Sequence, residues 1–435
     1  MDPMSAEKAR GKSAPAPAGE AAHSFIMMRK RWLAALAALI ILPWLVVAAI
    51  YFQESAESAS ARPAQPANAA ASVSSAVGDW GTLSITPIVI SPPLEYIPSD
   101  WSRITTTDQW FFPGAPVEVV ETFLLSAGLS PVQISRLRTT ARPDPRTKGM
   151  VVTPDLDLVR NLPQQVRAKL YNELGKTELN FDQANAFRFY GSTTEDWLGG
   201  SMISSQTRQI VEPLIYRDGD VLLFADPEVA RSLISDPVEL RRLAKTLLRQ
   251  STMVVRLTIT DSNEIPALAE YWGRGGRRTD LRPLLESAFE SMPDRSVDIV
   301  HLLPTFARNH LYRYPRLTAA DLNKPVLANC LWSALNFFNN QPDDRYLDIN
   351  TALKTLQRDY YIVEDGFQLG DVVAFVDKNG NLFHVATHLA GDIVLSKNGT
   401  SPVAPWAITT IGHLKAFYRL RSAEPRLMYH RRNDM

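Results

Sequence analysis

Two residues of the C-terminal region could together form a covalent catalyst. Cys330 is the one cysteine of the 435-residue chain, and it follows Asn329 at the start of an apolar stretch. Asn is a favoured helix N-cap, so the sequence predicts a helix that begins at Cys330. The positive end of a helix favours the nucleophilic thiolate. His384 lies further along the chain, and an imidazole beside the thiol would complete a nucleophile and its base.

The strand that carries His384 is predicted from a hairpin signal. Asn379-Gly380 separates two alternating apolar runs, which is the strongest short sequence signal for a β-hairpin. A two-residue turn at this position makes Phe375 face His384 across the hairpin. A catalytic base also needs an acceptor that orients its ring, and that acceptor should lie on the next strand.

The second turn of this region decides which residue can orient His384. A three-residue loop, 390–392, places Asn398 opposite His384, whereas a two-residue loop brings Lys397 to that face. An amide oxygen can accept the imidazole N–H and fix its tautomer, and a lysine ammonium cannot. The predicted catalytic residues are therefore Cys330, His384 and Asn398, with Ser396 as the alternative to Asn398.

A zinc site is the main rival interpretation for His384 and His388. On a helix this spacing would put both imidazoles on one face, but the general-base Glu of the zinc peptidases is missing. On a strand the two residues are about 13 Å apart, which is too far to bind one ion. The sequence also has no glycine-rich phosphate-binding or dinucleotide-binding motif. We therefore predict neither a metal nor a cofactor.

The N-terminal region predicts a membrane anchor. Residues 32–52 carry no charged side chain and would span about 30 Å as a helix. Basic residues 29–31 precede this run, so the positive-inside rule keeps the N-terminus in the cytoplasm. The run is longer than the usual apolar region of a signal peptide, which favours an uncleaved anchor. These features predict a single-pass inner-membrane protein that contacts the lipid bilayer and exposes its C-terminal bulk to the periplasm.

Composition divides the chain into five predicted segments. They are a disordered cytoplasmic tail, 1–31, a transmembrane helix, 32–52, an Ala/Ser/Pro-rich linker, 53–79, a helical and mixed α/β region, 80–310, and a catalytic domain, 311–435. Within the fourth segment, Gly128 predicts a helix stop and Ser130-Pro131 a helix start. The 46 basic and 46 acidic residues balance, and the basic runs lack interleaved aromatic residues, so no nucleic-acid partner is expected.

The order of motifs in the last quarter of the chain resembles a known family. Cys330, Gly370-Asp371-Val-Val-Ala-Phe and His384-Val resemble the NlpC-type papain-like cysteine peptidases and their amidase relatives. The resemblance implies an α+β fold in which the cysteine helix packs on an antiparallel sheet that bears the histidine. The chain departs from the family at Asn329-Cys330-Leu331, where Asp-Cys-Ser is usual, and at Ala386, where Gly is common.

The resemblance and the export signal together predict a membrane-anchored extracytoplasmic hydrolase. It would cleave amide bonds, with cell-wall peptides as the expected substrate. The backbone N–H of Cys330 is the expected oxyanion donor, and Tyr314 is the nearest match to a tyrosine that assists in such enzymes. Two alternatives stay open: a catalytically inactive scaffold or binding protein that uses the same fold, and an acyl transferase that uses the same thioester.

Overall fold

The computed structural model of the chain describes residues 74–97, 109–315, 327–419 and 424–435. All of them belong to the unit Asn68–Met435. The strands in these ranges are β1 Ser74–Gly78, β2 Gly81–Ile90, β3 Trp110–Phe112, β4 Arg142–Asp144, β5 Gly149–Val152, β6 Phe187–Tyr190, β7 Tyr216–Asp218, β8 Val221–Phe224, β9 Gln250–Thr258, β10 Ser296–Asp298, β11 Tyr360–Val363, β12 Val372–Val376, β13 Leu382–Ala390, β14 Ile393–Lys397, β15 Trp406–Thr410 and β16 Arg426–Arg432.

The helices alternate with these strands along the described residues. They are α1 Val117–Ala127, α2 Pro131–Arg138, α3 Leu156–Arg160, α4 Gln164–Leu174, α5 Phe181–Ala184, α6 Thr194–Leu198, α7 Ser205–Val211, α8 Pro227–Leu233, α9 Pro237–Leu247, α10 Ile265–Trp272, α11 Arg278–Ser291, α12 Thr305–His310, α13 Cys330–Leu335, α14 Ile349–Asp359 and α15 Ile411–Phe417.

The strands form four antiparallel sheets. The largest has six strands in the order β11-β16-β12-β13-β14-β15, and the others are β1-β2-β9-β10, β3-β5-β4 and β6-β8-β7. One core cluster combines residues of β2, β9 and α10 to α12 with residues of α13 and of the six-stranded sheet, so it includes residues on both sides of position 311. Helices α13 and α14 cover one face of that sheet, and α15 covers the other.

The predicted fold class, an α+β papain-like domain preceded by a transmembrane helix and a mixed region, requires correction. The described residues form a mixed α/β structure with 15 helices and four antiparallel sheets. None of these helices is long and apolar enough to cross a membrane. The longest, α11, has 14 residues and spans about 21 Å, which is less than the roughly 30 Å bilayer core. The predicted tail 1–31 and transmembrane segment 32–52 lie outside the described residues.

The predicted helix boundaries near residue 130 are confirmed. The backbone of Gly128 has a φ of 109°, a left-handed conformation that ends α1 and that glycine adopts without a Cβ clash. Ser130 then caps α2, because its side chain accepts the N–H of Gln133 while the Gln133 side chain accepts the N–H of Ser130. Pro131 occupies the first helical position, where its missing N–H costs no hydrogen bond.

The first hairpin of the six-stranded sheet brings Phe375 opposite His384, as predicted, but by a different turn. The N–H of Asp377 binds the carbonyl of Asn381, so the loop is one residue longer than the predicted two-residue turn. A bulge beside Phe383 compensates for this extra residue and restores the expected pairing. His384 therefore pairs with Phe375, the residue predicted to lie opposite it.

The second hairpin combines features of both predicted alternatives. Its loop is short, because Ala390 pairs directly with Ile393. A bulge at Leu389 then shifts the register, so that His388 pairs with Val394. Since the side chains of a strand alternate between faces, Ser396 and Asn398 share the face of His384, and Lys397 points to the opposite face.

The Gly-Asp pair before β12 has a structural role in this fold. Gly370 has a φ of 88°, and a Cβ at this position would lie 2.1 Å from the ring of Phe338. Asp371 is buried and accepts two hydrogen bonds from Arg431, at 2.9 and 2.7 Å, while Arg274 lies 3.8 Å away. These contacts join β16 to the start of β12.

We expect loss of the buried ion pair to destabilise the fold. Arg431→Met leaves the buried Asp371 carboxylate with the N–H of Gln368 and, as its only remaining cation, the more distant Arg274, which should lower the free energy of unfolding by about 3 kcal/mol. Urea unfolding of the full chain measures the change. The matched control is Arg358→Met, which breaks the exposed pair with Asp359 and should leave the unfolding midpoint in place. Equal midpoints for both variants and the unmodified chain would contradict this account.

Candidate functional site

Cys330 occupies the predicted position at the start of a helix. The Asn329 side chain caps α13 by accepting the N–H of Trp332 at 2.9 Å, which confirms the predicted N-cap. The helix ends at Leu335. It ends there because the buried Asn336 side chain turns the chain, accepting the N–H of Asp343 and donating to the carbonyl of Trp332.

The thiol of Cys330 lies among backbone N–H groups. Its side chain is half-buried at the junction of α13 and β13. Burial raises the pKa of the thiol, whereas the N–H groups of Val385, Leu331 and Cys330 itself and the positive charge of Lys397 lower it. Pairing between β13 and β14 does not extend to Val385, which packs with Cys330 against α13.

His384, Ser396 and Asn398 form a chain of hydrogen bonds on the opposite face of the sheet. The Nε2 atom of His384 lies 2.9 Å from the Ser396 hydroxyl, and that hydroxyl donates to Oδ1 of Asn398 at 3.0 Å. The structure therefore joins both sequence-predicted candidates for the orienting residue. Ser396 contacts the imidazole directly, and Asn398 orients Ser396.

The direction of these two hydrogen bonds fixes the tautomer of His384. A serine hydroxyl has one proton, and Ser396 donates it to Asn398. Ser396 must then accept from His384, so Nε2 carries the imidazole proton. Nδ1 has a free lone pair and makes no hydrogen bond with any residue that the structure describes. The imidazole is thus held in the tautomer in which Nδ1 can act as a base.

The predicted contact between Cys330 and His384 is not made. Val385 packs against the side chains of α13, and adjacent side chains of a strand point to opposite faces. The His384 ring consequently points away from α13, toward Phe375 and Tyr418, with ring centroids 5.6 and 4.6 Å away. No hydrogen bond joins the Cys330 thiol to the imidazole, although both residues are described, and the backbone of β13 runs between them.

No hydrogen bond or ring contact joins Tyr314, the expected oxyanion-assisting tyrosine, to Cys330 among the described residues. Its hydroxyl is buried and has no hydrogen-bond partner in the described part of the chain. Burial raises the pKa of this phenol, and the nearby charge of Arg249 lowers it. The N–H of Cys330, the other predicted donor, interacts with its own sulfur.

Lys397 is a candidate functional residue that the sequence prediction set aside. Its side chain is fully buried, and Nζ donates to the carbonyls of Gly399 and Ser401, each at 3.1 Å. Burial lowers the pKa of Lys397 to about 8, and the interaction with Cys330 raises it. One feature of the sequence could have identified Lys397: it follows the apolar residues of a predicted strand next to the predicted site. Lysine is almost never fully buried without a partner, so a lysine in such a strand indicates a specific role.

No protein-family model, curated protein or solved structure matches the chain. The resemblance to the NlpC-type hydrolases therefore stays a prediction, and so do the activity and the substrate that it implies. Any function has to be argued from the side chains of the site themselves.

The burial of His384 predicts a defined pH dependence of stability. Burial lowers the pKa of His384 to about 3, far below its ordinary value in an unfolded chain. As the pH falls below about 6.5, the unfolded chain binds a proton that the folded chain does not. We expect His384→Gln to remove about 2 kcal/mol of the stability loss between about pH 6.5 and pH 5, as measured by urea unfolding.

The control for this measurement is His301→Gln, because His301 is exposed. We expect this variant to lose as much stability on acidification as the unmodified chain. An equal loss in the His384→Gln variant would contradict the assignment of His384 as a buried neutral base.

Proposed function

We propose that the chain is a cysteine hydrolase that cleaves amide bonds, with Cys330 as nucleophile and His384 as base. One observation carries the proposal: Cys330 packs beside Val385, one residue from an imidazole whose tautomer leaves Nδ1 as a free base. Nucleophilic catalysis requires a thiol and an oriented imidazole that can reach it, and Cys330 and His384 lie on the two sides of one strand, β13.

The chemistry follows from the arrangement of protons. Cys330 Sγ attacks the carbonyl carbon and forms a carbon–sulfur bond, while Nδ1 of His384 takes the thiol proton. The same proton then passes to the amine as the carbon–nitrogen bond breaks. Water, deprotonated by Nδ1, hydrolyses the thioester and restores the thiol. Ser396 and Asn398 hold Nε2–H throughout, which stabilises the imidazolium formed in each step.

This mechanism requires a movement of the thiol. Burial raises the pKa of Cys330 and lowers the pKa of His384, so both groups are neutral near pH 7 in the free chain. Attack therefore requires the Cys330 side chain and the His384 ring to meet past the backbone of β13, where its pairing with β14 has ended. Catalytic hydrogen bonds are often long in a free enzyme and form with the substrate.

A second candidate function is a binding or scaffolding protein without catalysis. The missing hydrogen bond between Cys330 and His384 favours it, and so does the neutral state of both side chains. In this candidate the buried Ser396–Asn398 chain only satisfies a core histidine, and Cys330 is a small apolar residue at a helix start.

A simple activated ester distinguishes the two functions without knowledge of the natural substrate. We expect the full chain to react with 4-nitrophenyl acetate, releasing a burst of nitrophenolate and acquiring one acetyl group at Cys330, as identified by peptide mass spectrometry. Cys330→Ala should show no burst. His384→Gln should slow acetylation by about a hundredfold, because the base is lost while the thiol remains.

The matched control is again His301→Gln, which should acetylate at the rate of the unmodified chain. Absence of acetylation in the folded, unmodified chain would reject the hydrolase in favour of the binding protein. If the acetyl-thioester forms, an added primary amine distinguishes hydrolysis from acyl transfer. A hydrolase would release acetate, whereas a transferase would pass the acetyl group to the amine and give the amide. Cell-wall peptides are then the first amide substrates to assay, since the motif resemblance implies them.

A further inference from the structure

We infer that Lys397 is a positioning residue whose buried ammonium stabilises the thiolate of Cys330. The inference rests on the proposed function and adds a residue to it. The bulge at Leu389 turns Lys397 toward α13 and turns Ser396 toward His384. Lys397 therefore lies on the same face as Cys330, and its neighbour Ser396 lies on the same face as His384.

A continuous set of contacts links the lysine to the first turn of the cysteine helix. The Lys397 ammonium lies over the indole ring of Trp406, 5.4 Å from its centroid. The Trp406 indole N–H donates to the Ser333 hydroxyl at 2.8 Å. That hydroxyl in turn donates at 2.7 Å to the carbonyl of Asn329, the residue that caps Cys330. The position of the charge relative to the thiol is therefore fixed by the packing of α13.

The hydrogen bonds of Lys397 leave it one unused donor. An ammonium has three N–H groups, and the described contacts use two of them, on Gly399 and Ser401. A fully buried cation with two neutral acceptors is costly unless an anion is available nearby. The Cys330 thiolate would provide that anion, because Lys397 shares the face of the sheet on which Val385 packs with Cys330.

Other titratable groups around the thiol are placed less well to perform this role. His384 lies on the far face of β13. On the near side, His310 packs edge-on against the rings of Trp332 and Trp406, and burial lowers its pKa, which favours the uncharged form. Asp344 accepts the indole N–H of Trp332 and would oppose a thiolate. Lys397 is thus the cation that acts on the sulfur.

The pH profile of cysteine alkylation tests the inference directly. Iodoacetamide modifies the thiolate, so its rate on the full chain reports the apparent pKa of Cys330. Lys397→Met keeps the length of the side chain and removes the charge. We expect this variant to raise the apparent pKa by about one unit and to slow alkylation near pH 7 by about tenfold. Lys397→Arg should keep most of the alkylation rate of the unmodified chain.

The matched control is Lys378→Met, which removes an exposed lysine in the first hairpin and should leave the profile unchanged. A folded Lys397→Met variant that alkylates with the profile of the unmodified chain would overturn the inference. The acetylation burst of the unmodified chain is a separate readout. A burst with an unshifted profile rejects the role of Lys397 alone, and a shifted profile without a burst rejects the hydrolase alone.

A reciprocal measurement covers the case in which Lys397→Met does not fold. In the chain labelled with carbon-13 lysine, Lys397 should give a signal that titrates near pH 8. Cys330→Ala should move this midpoint to lower pH, because the thiolate that favours the ammonium is gone. An unchanged midpoint in the Cys330→Ala variant would overturn the inference.

Discussion

The bulge at Leu389 is the constraint on which the rest of the site depends. It changes the register between β13 and β14, and it thereby decides which side chains of β14 meet the histidine and which meet the cysteine. Without it, Lys397 would share the face of His384, and Ser396 would point toward α13. A single extra backbone residue therefore assigns a neutral hydrogen-bond chain to one face of the sheet and a buried cation to the other.

The two faces of the six-stranded sheet provide opposite electrostatic environments, one for the His384 imidazole and one for the Cys330 thiol. On the face of α15, the imidazole is surrounded by aromatic rings and bound to a hydroxyl, so burial keeps it uncharged. On the face of α13, nearby N–H groups and the positive charge of Lys397 lower the pKa of the thiol, while burial raises it. A substrate that brings polar groups and water to the thiol would reduce that opposition, since desolvation is the main cause that keeps the thiol protonated.

Local sequence signals predicted much of this arrangement, and long-range packing decided the remainder. The Asn329 cap and the glycine stop at Gly128 follow from short-range rules of capping, whereas Phe375 pairs with His384 because a bulge offsets a loop one residue longer than predicted. The bulge at Leu389 has no comparable sequence signature, because it depends on how β14 packs between β13 and β15. The face occupied by the cysteine could not be predicted for the same reason, since it is set by the docking of a helix distant in sequence.

The central claim is that the sulfur and the imidazole, on two sides of β13 in the free chain, meet during acylation. A crystal structure of the chain with a peptide aldehyde bound covalently to Cys330 tests this claim most directly. The account predicts that the adduct lies at the gap between β13 and β14, with Nδ1 of His384 within hydrogen-bonding distance of the sulfur or of the adduct oxygen. An adduct that leaves the sulfur beside Val385 on the face of α13, with the imidazole still turned toward Tyr418, would contradict it.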